Sequence, residues 1–419
     1  MSNSPQARPV QTWQRSRVLV TVSLFGFASG LPLALTGSTL QAWFTQAGVD
    51  LKTIGAMSLI GLPYLYKFLW APLLDRYVPV RGGRRRGWLF VTQAILAAIL
   101  LALAELSPAR DLTMIVVLVA TLALMSATQD IVVDAYRAEV LPPEERGLGA
   151  GLSIAGYRLA MIVSGAGVLL LADARGFEDS LRALAVLMAA SWGVTWWASE
   201  PPEAPGTASS LRADLLASLG HLLRRPAFPA LAALVVAYKL GDAFAGSLSM
   251  TFFLRGQGFS LTEIGATYKA LGIAATLLGG IAGGLWMKRL GLYRALLWFG
   301  LLQAITNLGF WLLAVSGKSL AGMIVVVALE NLSGGMGTSA LVALLISLCD
   351  RQFTATHFAL LSALASMPRV LIGPFAGVAA EWGWPTFFAG SLLLALPGLL
   401  LVAALGRPLR ALDTPPGKD

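Results

Sequence analysis

The sequence predicts an all-α membrane protein of twelve transmembrane helices in two pseudo-symmetric six-helix bundles. Three observations predict it. Hydrophobic residues make up 56% of the 419-residue chain and charged residues only 13%, with a mean hydropathy of +0.72, whereas soluble domains carry about 25% charge. Apolar stretches of about 20 residues, the length that crosses about 30 Å of hydrocarbon, recur along the whole chain. One polar linker near the middle divides those stretches six and six.

The spans are read at 18–44, 53–74, 88–105, 112–136, 148–172, 181–198, 227–253, 262–286, 293–315, 320–345, 355–379 and 385–405. This gives a tail at 1–17, a first bundle at 18–198, a linker at 199–226, a second bundle at 227–405 and a tail at 406–419. The polar opening "MSNSPQARPVQTWQRSR" runs into a full-length span, so no cleavable signal peptide is expected. Of the 31 Lys and Arg residues, with Arg182 and Arg294 at span edges counted to their adjoining loops, the tails and the even-to-odd loops hold 20. The opposite loops hold six (Lys52, Arg110, Arg175, Arg182, Arg255, Lys318) and the spans five (Lys67, Arg158, Lys239, Lys269, Arg369). Both termini are therefore expected in the cytoplasm. The same rule accounts for the pI of about 9.9 and for the basic loop "DRYVPVRGGRRRG" (75–87), so no nucleic-acid partner is expected.

The linker opens with Pro and Ser, which mark a boundary. Leu211, Leu215, Leu219 and Leu222 then share an apolar face beside Arg212, Arg224 and Arg225, which reads as a short helix on the cytoplasmic leaflet. An internal repeat supports two halves: "GYRLAMIVSGAGV" (156–168) and "MPRVLIGPFAGV" (367–378) each place one arginine before a small-residue "AGV". The single cysteine, Cys349, excludes an internal disulfide.

A charge at mid-bilayer costs at least about 2.5–3.5 kcal/mol, so an embedded ionisable group faces a partner or a wet cavity. Setting aside residues within one position of a span end (Glu105, Arg182, Glu263, Arg294), the embedded set is Lys67, Asp130, Asp134, Arg158, Lys239, Asp242, Lys269, Glu330 and Arg369, and the third, sixth, ninth and twelfth spans carry none. In "ATQDIVVDAYR" (127–137), Asp130 and Asp134 share a helix face, with Arg137 three residues further on the same side. Two carboxylates that close disfavour joint ionisation. Arg137 neutralises Asp134, which leaves Asp130 as the expected proton carrier and makes Asp134 with Arg137 a gating or structural pair. Asp134, Glu330 and Asp242 complete the proton-coupling candidates. Lys239 and Asp242 in "AYKLGDAF" read equally as a local pair or as substrate contacts. Glu330, in "ALENLSGGMGTSA", has no cation on its own helix, and the glycines after it suit close helix packing.

Six of the eight tyrosines directly precede a Lys or Arg: Tyr66, Tyr136, Tyr157, Tyr238, Tyr268 and Tyr293. Cations suit carboxylates and aromatic rings suit sugar faces. The candidates to line a substrate cavity are Lys67, Tyr64, Tyr157, Arg158, Tyr238, Lys239, Lys269 and Arg369. Interfacial tyrosines beside snorkelling cations are the competing reading, which covers at least Tyr293. Enzyme motifs are absent: "SGKS" (316–319) has Leu312 where a P-loop needs glycine, and there are two histidines in all. No metal, cofactor or catalytic role is expected.

At "GFASGLPLALTGSTLQAWF" (26–44), "YKFLWAPLLDRY" (66–77), "GRRRGWL" (83–89), "ATQDIVVDAYR" (127–137), "LPPEERG" (141–147) and "GYRLAMIVSGAG" (156–167), the chain resembles the AmpG muropeptide permeases of the major facilitator superfamily. Similar blocks continue at "LENLSGGMGTSALVALL" (329–345) and "FTATHFALLSALAS" (353–366), and the likeness covers most of residues 18–380. It implies the major facilitator fold, in which the third, sixth, ninth and twelfth helices lie outermost. It also implies proton-driven import of anhydro-N-acetylmuramyl sugar-peptides across the bacterial inner membrane for cell-wall recycling, a flux that in some bacteria leads to β-lactamase induction. The superfamily loop pattern G-x-x-x-D-R-x-G-R-R is partly kept: Ala71 replaces the first glycine, Asp75 and Arg76 remain as gating candidates, and the basic cluster moves to Arg84, Arg85 and Arg86. The implied partners are the muropeptide, protons and the bilayer, with the protein a monomer. Transport of another organic anion, such as an acyl-CoA or a phosphorylated metabolite, and non-transporting sensing of cell-wall fragments stay open as alternatives.

Overall fold

The computed structural model describes residues 9–80, 82–142, 145–201, 220, 223–224, 227–349 and 354–412. Most of the linker helix expected at 211–225 lies outside the described residues. All regular structure among the described residues is helical.

Helix α1 (Pro9–Ala34) passes through a π-helical stretch, Leu35–Thr39, into α2 (Leu40–Gln46). Next come three short pieces, α3 (Leu51–Ala56), α4 (Leu62–Tyr66) and α5 (Ala71–Arg76), joined by 3-10 turns at Met57–Gly61 and Lys67–Leu69. The span expected at 53–74 is thus interrupted rather than continuous. Gly55, Gly61, Pro63 and Pro72 explain this, because glycine and proline weaken the helical hydrogen-bond ladder. The first half continues with α6 (Arg84–Ala104), α7 (Pro108–Val140), α8 (Arg146–Ile162) and α9 (Val168–Trp197). The second half holds α10 (Phe228–Ala237), α11 (Leu240–Ser247), α12 (Gly272–Ser316), α13 (Leu320–Leu348), α14 (Thr354–Leu371), α15 (Gly373–Ala380), α16 (Trp384–Ala404) and α17 (Gly406–Ala411).

Among the described residues, nine helical stretches are long and apolar enough to cross a membrane. Two of them contain a glycine with positive φ, Gly176 at 89° and Gly291 at 74°, where a residue with a Cβ would be strained and the helix turns.

The described residues form two compact units, one within Met1–Thr39 and Tyr66–Gly206, the other within Leu40–Leu65 and Thr207–Asp419. Each has its own core. In the first, Val22, Phe25, Leu89, Val132 and Tyr136 pack together, with the Phe25 and Tyr136 rings edge to face at 5.0 Å. In the second, Phe228, Leu234, Leu296, Phe299, Leu344 and Val402 do so.

Lipid tails are as apolar as leucine, so helix association inside a membrane depends on close backbone approach. Gly26 and Gly30 on α1 supply that approach to α8: a Cβ on Gly30 would lie 2.5 Å from the Tyr157 carbonyl oxygen. Gly279 and Gly283 do the same for α12 against α13, where a Cβ on Gly279 would lie 2.8 Å from the Leu332 carbonyl carbon and closer still to its oxygen. Residues 40–65 are held within the second unit. Gly55 packs on Gly373 and Gly377, Ser58 Oγ donates to Val370 O at 2.7 Å, Arg255 Nη2 donates to Thr45 O at 2.7 Å, and Lys52 pairs with Glu381 at 3.0 Å.

Candidate functional site

In the first unit, α7 directs three consecutive polar side chains into its neighbours. Thr128 Oγ1 accepts from Trp70 Nε1 at 3.1 Å, Gln129 Nε2 donates to Ala28 O at 3.0 Å, and Asp130 accepts from Ser29 Oγ on α1. The Asp130 side chain is 12% exposed and stands 4.0 Å from Lys67 Nζ. The carboxylate thus accepts from Ser29 and faces the cation of Lys67. Lys67, expected to contact substrate, is in this structure the counter-ion of Asp130. Ser29 was not singled out from the sequence, since a serine inside "GFASG" (26–30) looks like a small packing residue. One helical turn further on, Arg137 Nη2 donates to Asp134 Oδ1 at 3.0 Å, as their spacing predicts.

Tyr157 and Arg158 on α8 are half-buried, and Arg158 Nη1 lies 3.8 Å from Met161 Sδ. At the end of α5, Asp75 pairs with Arg85 at 2.7 Å. Arg76 does not join that pair, its guanidinium lying 6.0 Å from the Tyr77 ring centre. Arg85 also reaches Glu139 at 2.5 Å, and Arg84 bonds the same carboxylate at 3.0 Å. Glu200 accepts from the backbone N–H groups of Arg85 at 2.7 Å and Arg86 at 2.9 Å, capping α6 with a negative charge at its positive end. The displaced basic cluster thus folds back onto Asp75. Glu139 and Glu200, which complete the network, carried no sequence pattern of their own. Arg85, whose side chain is only 4% exposed, joins Asp75 to Glu139, so Arg85→Ala leaves Glu139 with Arg84 alone and Asp75 to solvent, and empties a buried position. The substitution is expected to lower stability by about 2–3 kcal/mol, read as a fall in thermal midpoint in detergent. An unchanged midpoint would mean that the network is dispensable.

In the second unit a cavity of about 220 Å³ is lined by Lys239, Asp242, Ala243, Thr276, Glu330, Asn331, Gly334, Thr338, Ala365 and Arg369. It brings together Lys239, Asp242, Glu330 and Arg369, all of which the sequence had singled out. Lys239 Nζ donates to Asp242 Oδ2 at 3.0 Å, to Gln303 Oε1 at 2.5 Å and to Gly334 O at 3.1 Å. Asn331 Nδ2 donates to Glu330 Oε2 at 2.8 Å, and its Oδ1 accepts from Thr276 Oγ1 at 3.1 Å. Tyr238 departs from expectation: it is 8% exposed within the core, and its hydroxyl donates to Leu296 O at 3.0 Å. Tyr136 is likewise in the core of its own unit. Lys269 lies in the π-helical stretch Gly265–Leu271, its Nζ 5.1 Å from the Tyr268 ring centre, and Tyr64 is half-buried in α4. Neither Lys269 nor Tyr64 is among the residues lining that cavity. Among the described residues no cluster of three His, Cys, Asp or Glu could hold a metal.

Membrane-length helices in two separately cored units, each carrying charged groups in pairs between its own helices, define a multi-pass membrane transporter. Residues 17–353 match the family model of the Major Facilitator Superfamily. The fold aligns with a bacterial homologue of the human lysosomal transporter Spinster at a TM-score of 0.73, with 14% identity, over 98% of this chain and 100% of that one. It aligns with a D-xylose–proton symporter at 0.69, with 12% identity, over 93% and 97%. In sequence, the chain is 48% identical over 390 residues to the anhydromuropeptide permease of Escherichia coli (strain K12), covering 93% of this chain and 79% of that one. It is 30% identical over 400 residues to the putative transporter AmpG 4 of Rickettsia felis, covering 93% and 96%. The chain belongs to the AmpG muropeptide permease family of the major facilitator superfamily. That is a family of permeases rather than enzymes.

Proposed function

We propose that this protein imports anhydro-N-acetylmuramyl sugar-peptides from periplasm to cytoplasm across the bacterial inner membrane, driven by protons, for cell-wall recycling. The observation that carries this reading is the 48% identity to an anhydromuropeptide permease over 93% of the chain. Nine membrane-length stretches, two of them divided at Gly176 and Gly291, and the interrupted segment 51–76 support twelve spans in two six-helix bundles. The excess of basic residues on the tails and even-to-odd loops supports cytoplasmic termini, and the chain is taken to act as a monomer.

In this reading Asp130 carries the proton and exchanges it against its contact with Lys67. Asp134, Asp242 and Glu330 are the remaining carboxylates for coupling. Tyr64, Tyr157, Arg158, Lys269 and Arg369 serve the carboxylates and sugar faces of the substrate, while Lys239 does so only after releasing the three acceptors it now holds. Asp75, Arg76 and Arg137 act in gating. One net positive charge moved inward with each substrate brings about 2.3 kcal/mol per 100 mV, roughly a fifty-fold concentration ratio.

The test is uptake of labelled anhydro-muropeptide into proteoliposomes under an imposed proton gradient. Accumulation abolished by a protonophore is expected. Binding without accumulation would overturn transport in favour of sensing, and competition by an acyl-CoA or a phosphorylated metabolite with no muropeptide binding would overturn the substrate. Arg158→Ala and Arg369→Ala should each weaken muropeptide affinity about tenfold, the value of one charged hydrogen bond. Unchanged affinity in both would assign these arginines to the fold.

A further inference from the structure

The charges around the second-unit cavity differ from those of an anion site. Lys239 and Arg369 are matched by Asp242 and Glu330, so the lining is formally neutral. An ammonium has three donors, and all three of Lys239 are committed, to Asp242, Gln303 and Gly334. It therefore has no donor left for an incoming carboxylate. The carboxylates are less fully used. Lys239 takes one Asp242 oxygen and Asn331 one Glu330 oxygen, which leaves each group an oxygen that accepts no hydrogen bond from the described residues. Asn331, itself held by Thr276 and by Val327 O at 2.9 Å, fixes the direction of Glu330. A neutral lining with spare acceptors favours a ligand group that is itself neutral overall yet donates strongly, since a net charge brought there would go uncompensated. At about 220 Å³ the cavity is smaller than the roughly 300–1,000 Å³ of sites that engulf a whole ligand. It fits one functional group and a few carbons.

We infer that this cavity binds a zwitterionic amino-acid head group on the substrate, its ammonium against Glu330 and Asp242 and its carboxylate toward Arg369. The inference rests on a substrate that carries a peptide, and it makes the second unit the reader of that peptide's free amine.

The experiment is calorimetric binding to the purified full-length chain of three probes: an anhydro-N-acetylmuramyl peptide with a free amine, the same compound acetylated on that amine, and the anhydro-sugar without peptide. The free-amine compound is expected to bind about tenfold more tightly than the acetylated one. Glu330→Gln should erase that preference by weakening the free-amine compound alone, and Glu330→Asp should keep part of it. Equal binding of the two peptides by the wild-type protein, a comparison that needs no variant, would overturn the inference and leave muropeptide recognition standing. Equal weakening of both peptides by Glu330→Gln would also overturn it. If none of the three probes bound, both this inference and the substrate reading would fail.

Discussion

Asp130→Asn abolishes concentrative uptake while leaving the protein folded and able to bind substrate. The substitution changes almost no volume, and an amide oxygen still accepts from Ser29 Oγ, so the α1–α7 contact survives. What disappears is the charge facing Lys67 at 4.0 Å and the capacity to take up and release a proton. A carboxylate can trade its cation for a proton as the protein changes conformation, whereas an amide cannot. The accumulation ratio in proteoliposomes should therefore fall from tens towards one, given roughly fifty-fold drive per net charge moved at 100 mV. Exchange of labelled for unlabelled substrate across the membrane, which needs no net proton movement, should persist. Accumulation at wild-type rates would move the carrier elsewhere, with Glu330 and Asp242 next to be tested.

Gly279→Val should prevent recovery of folded protein altogether, whereas Gly280→Ala one residue on should be silent. The Gly279 Cα faces the Leu332 backbone, and any side chain would drive into that carbonyl. Gly335 on α13 approaches α12 just as closely, facing the Thr276 backbone, so neither helix can yield without the other. Overpacking costs about 1–3 kcal/mol where side chains can adjust, and more is expected here because the obstacle is backbone. A Cβ at Gly280 meets nothing within 4 Å. The yield of monodisperse protein after detergent extraction distinguishes the two variants. Normal yield from Gly279→Val would mean that the α12–α13 crossing is looser than it stands here.

Some of the candidate site was legible because helix geometry alone creates it. Residues three apart on a helix share a face, so Asp134 with Arg137 and Lys239 with Asp242 could be paired from the sequence, and both pairs are made. The tyrosines show where such local reasoning stops. Neighbours on a helix point about 100° apart, so a Tyr–Lys or Tyr–Arg pair sends its members different ways. Tyr238 enters the core while Lys239 lines the cavity, and Tyr136 enters the core while Arg137 meets Asp134. Adjacency to a cation indicated a special place in the helix without saying which way the ring would turn.

Length and apolar content, with the run of membrane-spanning stretches, were determined by the sequence itself, because hydrocarbon forces every backbone polar group in a span into helical hydrogen bonds. The set of ionisable residues that had to find partners followed from the cost of charge in lipid. Which partners they found was decided only in three dimensions. Asp130 meets Lys67 and Ser29 across 63 and 101 residues of chain, Arg85 bridges Asp75 and Glu139, and residues 40–65 pack with the second unit although they begin in the first half of the sequence. Such contacts depend on how rigid helices cross, and those crossings depend on glycines such as Gly26, Gly30, Gly279 and Gly335, whose effect appears only when another backbone lies against them.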